Sequence, residues 1–195
     1  MAGRGAVRSD VEPDGVLIER SAHGRPDAFV EVVRRHEVAV HGYLARRAGR
    51  QAADDLLAEV WLRAFAARAG YDARHGDAGP WLYGIARNVL REHWRTVGAD
   101  EPAALDEARV DPWDGINARL DSAERAKAVM AAVRELPAAE REMLLLVAWE
   151  QLTPAEAAKV LGVPQGTARS RLHRARATLH RMLGERDVHE IGVST

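Results

Sequence analysis

The segment with the clearest chemistry is residues 165–181, QGTARSRLHRARATLHR, which holds five arginines and no acidic residue. Guanidinium groups bind phosphates and base edges, so an arginine helix without carboxylates favours contact with duplex DNA. Its apolar residues recur at helical spacing and predict one stripe that faces a core. These are Ala168, Leu172, Ala175 and Leu179. Residues away from the stripe are free to enter a major groove: Gly166, Arg169, Ser170, His173 and Arg174. The alternative on these residues alone is a helical hairpin with a solvated basic face.

A short helix is predicted immediately before this segment. Thr153 and Glu156 have the spacing of a capping box, and Pro154 occupies the first helical position. Gly162 can end that helix in the left-handed conformation, and Pro164 prevents simple continuation. A turn of about three residues between two helices is the spacing of a helix-turn-helix.

A second basic stripe lies on the predicted helix at residues 81–95. It shares one helical face: Gly84, Arg87, Asn88, Arg91 and Arg95. Asparagine beside arginine on one face suits base edges and phosphates. Three aromatic residues lie nearby and could stack on unpaired bases, although packing in the core is the alternative for each: Trp81, Tyr83 and Trp94.

Composition narrows the classes of protein. The chain has 195 residues, a net charge of −1 and no cysteine, which excludes disulfides, thiolate metal sites and cysteine nucleophiles. No run of about 18 apolar residues is present, so we expect a cytoplasmic protein. His36 and His41 are five residues apart and diverge around a helix, unlike the four-residue spacing of a zinc protease. We expect His36 to lie in the core. The sequence shows no nucleophile–base arrangement, so we expect neither an enzymatic activity nor a cofactor.

Periodicity predicts an all-α fold of two small helical domains joined by an acidic, flexible linker. The N-terminal domain, residues 15–98, has predicted helices at 26–47, 53–68 and from Pro80, with a loop at 70–79. The C-terminal domain, residues 122–184, has predicted helices at 122–135 and 138–149 before the helix-turn-helix. Residues 1–14 and 185–195 are expected to be tails, and residues 99–121 carry seven acidic and two basic side chains.

Two basic helices on one tethered chain suggest recognition of two DNA elements. Three segments resemble, in order, the bacterial RNA polymerase sigma factors of the extracytoplasmic-function (ECF) group. They are ADDLLAEVWLRAF at 53–65, WLYGIARNVLREHWR at 81–95, and residues 136–179. The N-terminal domain then resembles sigma region 2 and the C-terminal domain resembles region 4.

The resemblance implies a role for each surface. The partners it implies are promoter DNA and core RNA polymerase, through the clamp of the largest subunit and the flap of the second largest. The residues implied for the polymerase are Asp54, Asp55, Glu59 and Arg63. Those implied for opening and capturing the −10 promoter element are Trp81, Tyr83, Arg87, Asn88, Arg91 and Arg95. Those implied for the −35 element are Gln165, Thr167, Arg169, Ser170, Arg171, His173 and Arg174, of which Arg174 would contact phosphate.

Some alternatives stay open at this level. Arg171 and Arg176 lie nearer the apolar stripe and could pair with Glu156 or with phosphate. The linker is expected to thread the nucleic-acid channel of the polymerase, or to be a disordered spacer. A free-standing helix-turn-helix regulator and a protein-binding adaptor are the functions that compete with a sigma factor. An inhibitory anti-sigma partner is compatible with the sigma factor function.

Overall fold

The computed structural model describes residues 12–75, 77–98 and 120–183, and every regular element within these ranges is helical. The first part of the chain forms four α-helices: α1 (Asp14–Ala22), α2 (Ala28–Ala48), α3 (Arg50–Ala67) and α4 (Gly79–Val97). The second part forms four more: α5 (Leu120–Glu135), α6 (Ala138–Ala148), α7 (Pro154–Leu161) and α8 (Gln165–Leu183). The all-α prediction is confirmed. None of the helices in these ranges is long and apolar enough to cross a membrane.

An antiparallel pair of helices forms the centre of the N-terminal half. Gly49 alone separates α2 from α3, and its φ of 80° lets the chain reverse direction there. At the opposite end of the pair, the Phe29 ring meets Phe65 edge to face, with ring centroids 5.5 Å apart. The third helix of this core is α4, whose Leu82 and Ala86 are fully buried. This packing fixes the face of α4 that is left for other contacts.

The C-terminal half is organised around the helix-turn-helix. The capping box at Thr153 is present in both directions, and Gly162 adopts the left-handed conformation with φ 66°. The predicted stripe of α8 is buried throughout, with exposures of 0 to 4%. It consists of Ala168, Leu172, Ala175 and Leu179. The apolar positions that the sequence assigned to the core therefore have that role.

Several expectations about the elements need correction. Helix α1 was not predicted. The stretch expected to be a loop at 70–79 contains a 3-10 turn at Ala73–His75, after another at Arg68–Gly70. The expected linker is outside the described residues except at its end, where residues 120 and 121 begin α5. His36 is not an apolar core residue, because it is partly exposed and its Nε2 lies 2.6 Å from the Asp14 carboxylate.

Candidate nucleic-acid and polymerase interfaces

The outer face of α8 carries most of the residues assigned to duplex DNA. Four of the seven assigned side chains are exposed and have no side-chain partner in the described part of the chain, apart from one backbone contact of Ser170. They are Gln165, Arg169, Ser170 and His173. Thr167 and Arg171 are half-buried at the edge of this face. Helix α8 therefore presents polar and cationic groups that face solvent along its N-terminal half.

Other arginines of α8 have contacts within the protein. The Nε of Arg174 donates a hydrogen bond to Glu140 in α6 at 2.7 Å. Neither Arg171 nor Arg176 pairs with Glu156 among the described residues, and the Glu156 carboxylate instead accepts from the backbone N–H and the hydroxyl of Thr153. The Nε of Arg176 is buried and has no hydrogen-bond partner in the part of the chain that the structure describes. The arginines of this helix thus differ in how available they are to DNA.

On α4, the exposed basic residues form one surface. Asn88, Arg91 and Arg95 are all exposed, at positions i, i+3 and i+7 of the helix. No side-chain hydrogen bond or ion pair holds them among the described residues. This surface can accept phosphates and base edges without first breaking an internal contact.

The aromatic residues of α4 are less accessible than the stacking hypothesis requires. Trp81 is half-buried, and its ring lies 5.0 Å from the Tyr71 ring. Tyr83 is 6% exposed and Trp94 is 7% exposed, so neither ring presents a free face in this arrangement. Burial raises the pKa of the Tyr83 hydroxyl, and the nearby Glu150 carboxylate raises it further. Of the three, only Trp81 lies at an accessible edge.

Two sets of ion pairs join the N-terminal half to the C-terminal half. Arg87 on α4 donates to Glu142 on α6, with Nε 2.9 Å from Oε1. Arg46, near the end of α2, donates from Nη2 to both oxygens of Glu150 at 2.7 Å. The Glu150 side chain is 2% exposed, and Arg47 lies 3.5 Å from it. The partners in these pairs are 55 and 104 positions apart, and no spacing pattern in the sequence links residues that distant. The predicted site residues therefore did not include Arg46, Arg47, Glu142 and Glu150.

A buried carboxylate holds the start of α4 in place. Asp14 accepts hydrogen bonds from Arg35 at 2.8 Å and from the backbone N–H of Ala78, the N-cap of α4, at 3.2 Å, and it also contacts His36. Burial raises the pKa of Asp14, but the hydrogen bonds from His36, Ala78 and Arg35 outweigh it and leave the pKa below its ordinary value.

The same group has the composition of a metal site but not the chemistry. Asp14, His36 and Asp77 have potential ligand atoms within 4.8 Å of one another. The Arg35 guanidinium forms an ion pair with the Asp14 carboxylate. Its positive charge repels a metal ion at the same place. We interpret the group as a hydrogen-bonded hub that joins α1, α2 and α4.

The residues assigned to the polymerase lie on the outer side of α3. Asp55 is exposed, and Asp54 is 82% exposed with one oxygen 3.0 Å from His41. Arg63 donates to Glu59 and also to Glu92 of α4, each at 2.6 Å, so it joins two helices as well as facing solvent. Leu62 was not among the predicted residues, and it is 67% exposed on the same face. Its signal was present, since it is a large apolar residue outside the buried stripe of α3.

Comparisons with known proteins identify the family of the chain. Residues 32–99 match the family Sigma-70 region 2, and residues 126–179 match the family Sigma-70, region 4. The chain is 32% identical to the ECF RNA polymerase sigma factor BldN of Streptomyces coelicolor, over 92% of this chain and 69% of that protein. It is 35% identical to the ECF RNA polymerase sigma factor SigM of Mycobacterium tuberculosis, over 91% of this chain and 86% of that protein.

A solved structure shares the fold. The structure of CnrH in complex with the cytosolic domain of CnrY superposes with a TM-score of 0.61 at 25% identity, covering 88% of this chain and 97% of that one. Two region families in the expected order, and relatives that align over most of both chains, show which family this is. The chain belongs to the ECF sigma factors of bacterial RNA polymerase, which are regulatory transcription factors that direct initiation at promoters.

Proposed function

We propose that this sigma factor contacts promoters at two points, with α8 on duplex DNA of the −35 element and α4 on the −10 element as it opens. One observation carries the proposal. Two separate helices expose polar and cationic side chains that have no internal side-chain partner among the described residues, namely Asn88, Arg91 and Arg95 on α4, and Arg169 and His173 on α8.

The proposed −35 contact uses the N-terminal half of α8. In a helix-turn-helix, the first residues of the second helix meet base edges in the major groove. Gln165 and Arg169 are exposed there, four positions apart on one face. Arginine pairs with guanine through two hydrogen bonds, so Arg169 is the residue we assign to base recognition. We assign Arg171 and Arg174 to the flanking phosphates.

The proposed −10 contact uses the exposed surface of α4 and the turn before it. Capture of an unpaired strand needs cations for its phosphates and a place for an extruded base. Arg91 and Arg95 supply the cations, and Asn88 lies between them and the half-buried Trp81 along the helix. The 3-10 turn at Ala73–His75 lies at the N-terminal side of α4, and we assign base preference to the surrounding 70–79 stretch.

The proposed polymerase contact uses the outer face of α3. Asp54, Asp55 and Glu59 give this face an acidic character, and Leu62 adds exposed apolar surface. A mixture of charged rim and apolar centre is typical of protein interfaces. We assign the clamp of the largest polymerase subunit to this face, and the flap of the second largest to the C-terminal domain.

The remaining assignments follow from the same function. We take residues 15–98 and 122–184 as the two functional domains, with 99–121 as their acidic connection. Because the polymerase works in the bacterial cytoplasm, we assign the chain to that compartment. CnrH is solved with the cytosolic domain of CnrY. We propose that this chain also binds a partner protein and that the partner inhibits it. A free-standing regulator is not favoured, because it leaves the α4 surface without a role.

Transcription from a genomic library with core polymerase tests the proposal. We expect start sites only when this chain is added, and two sequence elements at a constant separation upstream of them. Scrambling either element should abolish initiation. Equal transcription with the core alone, or start sites with no shared upstream sequence, would contradict the proposed function.

A further inference from the structure

The contact between the two halves of the chain is built around one buried carboxylate. Glu150 follows α6 and inserts its side chain against the end of α2, where it binds Arg46 through both oxygens and lies 3.5 Å from Arg47. The guanidinium of Arg46 also lies 5.4 Å from the centre of the Trp149 ring. The Glu150 side chain is only 2% exposed, and a buried charge is stable only beside close partners of opposite charge. The two arginines therefore stabilise the charged form of this carboxylate.

The same contact covers part of the proposed −10 surface. Arg87 is paired with Glu142, and both side chains are about four-fifths buried, with exposures of 20% and 19%. Tyr83 is buried between Tyr43, with ring centroids 5.3 Å apart, and Glu150. Helices α4 and α7 pack against each other. Two of the residues assigned to −10 DNA are therefore covered by the domain assigned to −35 DNA.

Geometry excludes simultaneous use of both surfaces in this arrangement. Elements centred 35 and 10 base pairs upstream are about 25 base pairs apart, which is roughly 85 Å along B-DNA at 3.4 Å per base pair. Helix α4 touches the helix-turn-helix here, so the two domains must separate before both elements can be bound. Whatever holds the domains together consequently opposes promoter binding.

The covered pocket also resembles a site for an anion with more oxygens than a carboxylate. Three polar side-chain atoms in it are buried and have no hydrogen-bond partner among the described residues, namely Tyr43 Oη, Arg46 Nε and Arg47 Nη2. Guanidinium groups bind phosphate with the same two-point geometry that they use for carboxylate. A phosphate group has more acceptor oxygens than the Glu150 carboxylate and could satisfy these donors. Buried donors without acceptors lower the stability of the arrangement in which the two halves are in contact.

We propose that Glu142 and Glu150 form an acidic latch that occupies a phosphate-binding pocket of Arg46, Arg47 and Arg87, and that promoter DNA and the latch compete for this pocket. The inference extends the proposed −10 role of α4, on which it rests. It adds Arg46 and Arg47 to the residues that bind the DNA backbone. It also gives the free protein a closed form that cannot bind both promoter elements.

Fluorescence energy transfer in the full chain tests the latch. The sequence has no cysteine, so thiols introduced as Val38→Cys and Met182→Cys can be labelled without other changes. Both positions are exposed, at 84% and 47%, and they lie in different halves. We expect the variant Glu142→Gln with Glu150→Gln to lower the transfer efficiency relative to the unaltered labelled chain, because the buried pairs lose their charge.

DNA affinity is measured on the unlabelled proteins with a random-sequence single-stranded DNA. We expect the double variant to bind about tenfold more tightly, since apparent affinity scales with the open fraction. The matched control is Glu37→Gln with Glu135→Gln, which makes the same charge change at exposed carboxylates, one in each half. An equal gain in the control, or no change in transfer efficiency, would overturn the latch.

Two further variants keep the outcomes separable. Arg46→Glu should open the chain, and adding Glu150→Arg should restore transfer by reversing the pair, which a folding defect would not do. If α4 does not bind DNA, then Arg91→Ala in the opened variant will leave affinity unchanged, and the proposed function fails at that element. If only the latch is wrong, Arg91→Ala will still weaken binding, but removal of the carboxylates will not strengthen it.

Discussion

The Nε of Arg174 in α8 lies 2.7 Å from Oε1 of Glu140 in α6. This ion pair ties the second helix of the helix-turn-helix to the helix before the motif, and Glu140 is mostly buried while Arg174 is half-exposed. Arg169 lies on the same helix but has no such partner among the described residues. The two arginines are therefore expected to have different roles. We expect Arg174 to position the helix and contact phosphate, and Arg169 to recognise bases.

Replacing Arg169 with alanine should reduce recognition of the −35 element. We expect a loss of about 1–3 kcal/mol that depends on the base contacted, because a paired guanidinium contact to guanine is lost. The measurement is promoter binding by the polymerase holoenzyme on a set of single-base variants. Arg181→Ala, at the exposed C-terminal end of α8, is the matched control. Equal weakening on scrambled upstream DNA would instead identify Arg169 as a phosphate contact.

Replacing Arg91 with alanine should impair promoter opening. The exposed guanidinium is assigned to the strand that becomes unpaired, so upstream binding should stay nearly unchanged while the yield of open complexes falls. Permanganate reactivity of unpaired thymines measures that yield, and Asn88→Ala should act in the same direction. Arg50→Ala, exposed at the start of α3, is the control. Normal opening in both α4 variants would remove this helix from the mechanism.

The parts of the fold that were predictable are those with local signals. The capping box at Thr153 and the buried stripe of α8 follow from spacing within one or two helical turns, and both are confirmed. Helix α1 was missed because it is short, with nine residues and a glycine at its second position, and its stability comes from burial of Leu17 and Ile18. Packing against distant elements leaves no such local signal.

The interface between the halves was unpredictable for a related reason. Arg46 and Glu150 are 104 positions apart, and each reads in sequence as an ordinary surface charge. Arg87 was assigned to DNA from its helical face and from the family resemblance, and neither of these revealed its contact with Glu142. A face can be predicted from periodicity, but the partner that covers it cannot.

Asp14→Asn should destabilise the N-terminal half, most strongly at neutral pH. The folded state lowers the pKa of this carboxyl below 3.8, so its contribution is present above that pH and is lost as the pH falls through the folded pKa. We expect a loss of about 1.5–3 kcal/mol at neutral pH, typical of hydrogen bonds to a charged group. Urea unfolding at a series of pH values measures this loss.

The pH dependence supplies the decisive comparison for Asp14. The difference between Asp14→Asn and the unaltered chain should shrink on acidification, because protonation removes the same charge that the substitution removes. Asp27→Asn is the control, since Asp27 also has a lowered pKa beside Arg25 but is exposed to solvent. A difference that stays constant with pH would show that the Asp14 charge is not the stabilising feature.

Thr153→Ala should destabilise the helix-turn-helix by about 1 kcal/mol. The Thr153 hydroxyl accepts from the backbone N–H of Glu156, and the Glu156 carboxylate accepts from the Thr153 backbone N–H, so one substitution disrupts the capping box. Urea unfolding of the full chain measures the change. Thr96→Ala, at the exposed end of α4, removes only a hydroxyl that donates to the backbone carbonyl of Glu92, and it should have a smaller effect.

Leu62→Ser should weaken binding to core polymerase without affecting folding. The side chain is 67% exposed in the free chain, so its apolar surface becomes buried only in a complex. Burying a leucine contributes about 1.5–3 kcal/mol, which corresponds to a roughly tenfold or greater loss of affinity. Titration of labelled core polymerase measures it. Val97→Ser, 58% exposed on α4, should bind normally, and a normal affinity for Leu62→Ser would exclude α3 as the docking face.

The close contact between Gly15 and the turn at Ala73–His75 limits how the 70–79 stretch can be exchanged between relatives. A Cβ at residue 15 would lie 2.5 Å from the backbone oxygen of Ala73. The turn at Ala73–His75 therefore fits only against a helix that carries glycine at residue 15, next to Asp14. A chimera that transplants the stretch alone should fold poorly, whereas one that carries residues 12–22 with it should keep the donor's conformation. If residues 70–79 set the −10 preference as we propose, the residues that determine it are discontinuous in the sequence.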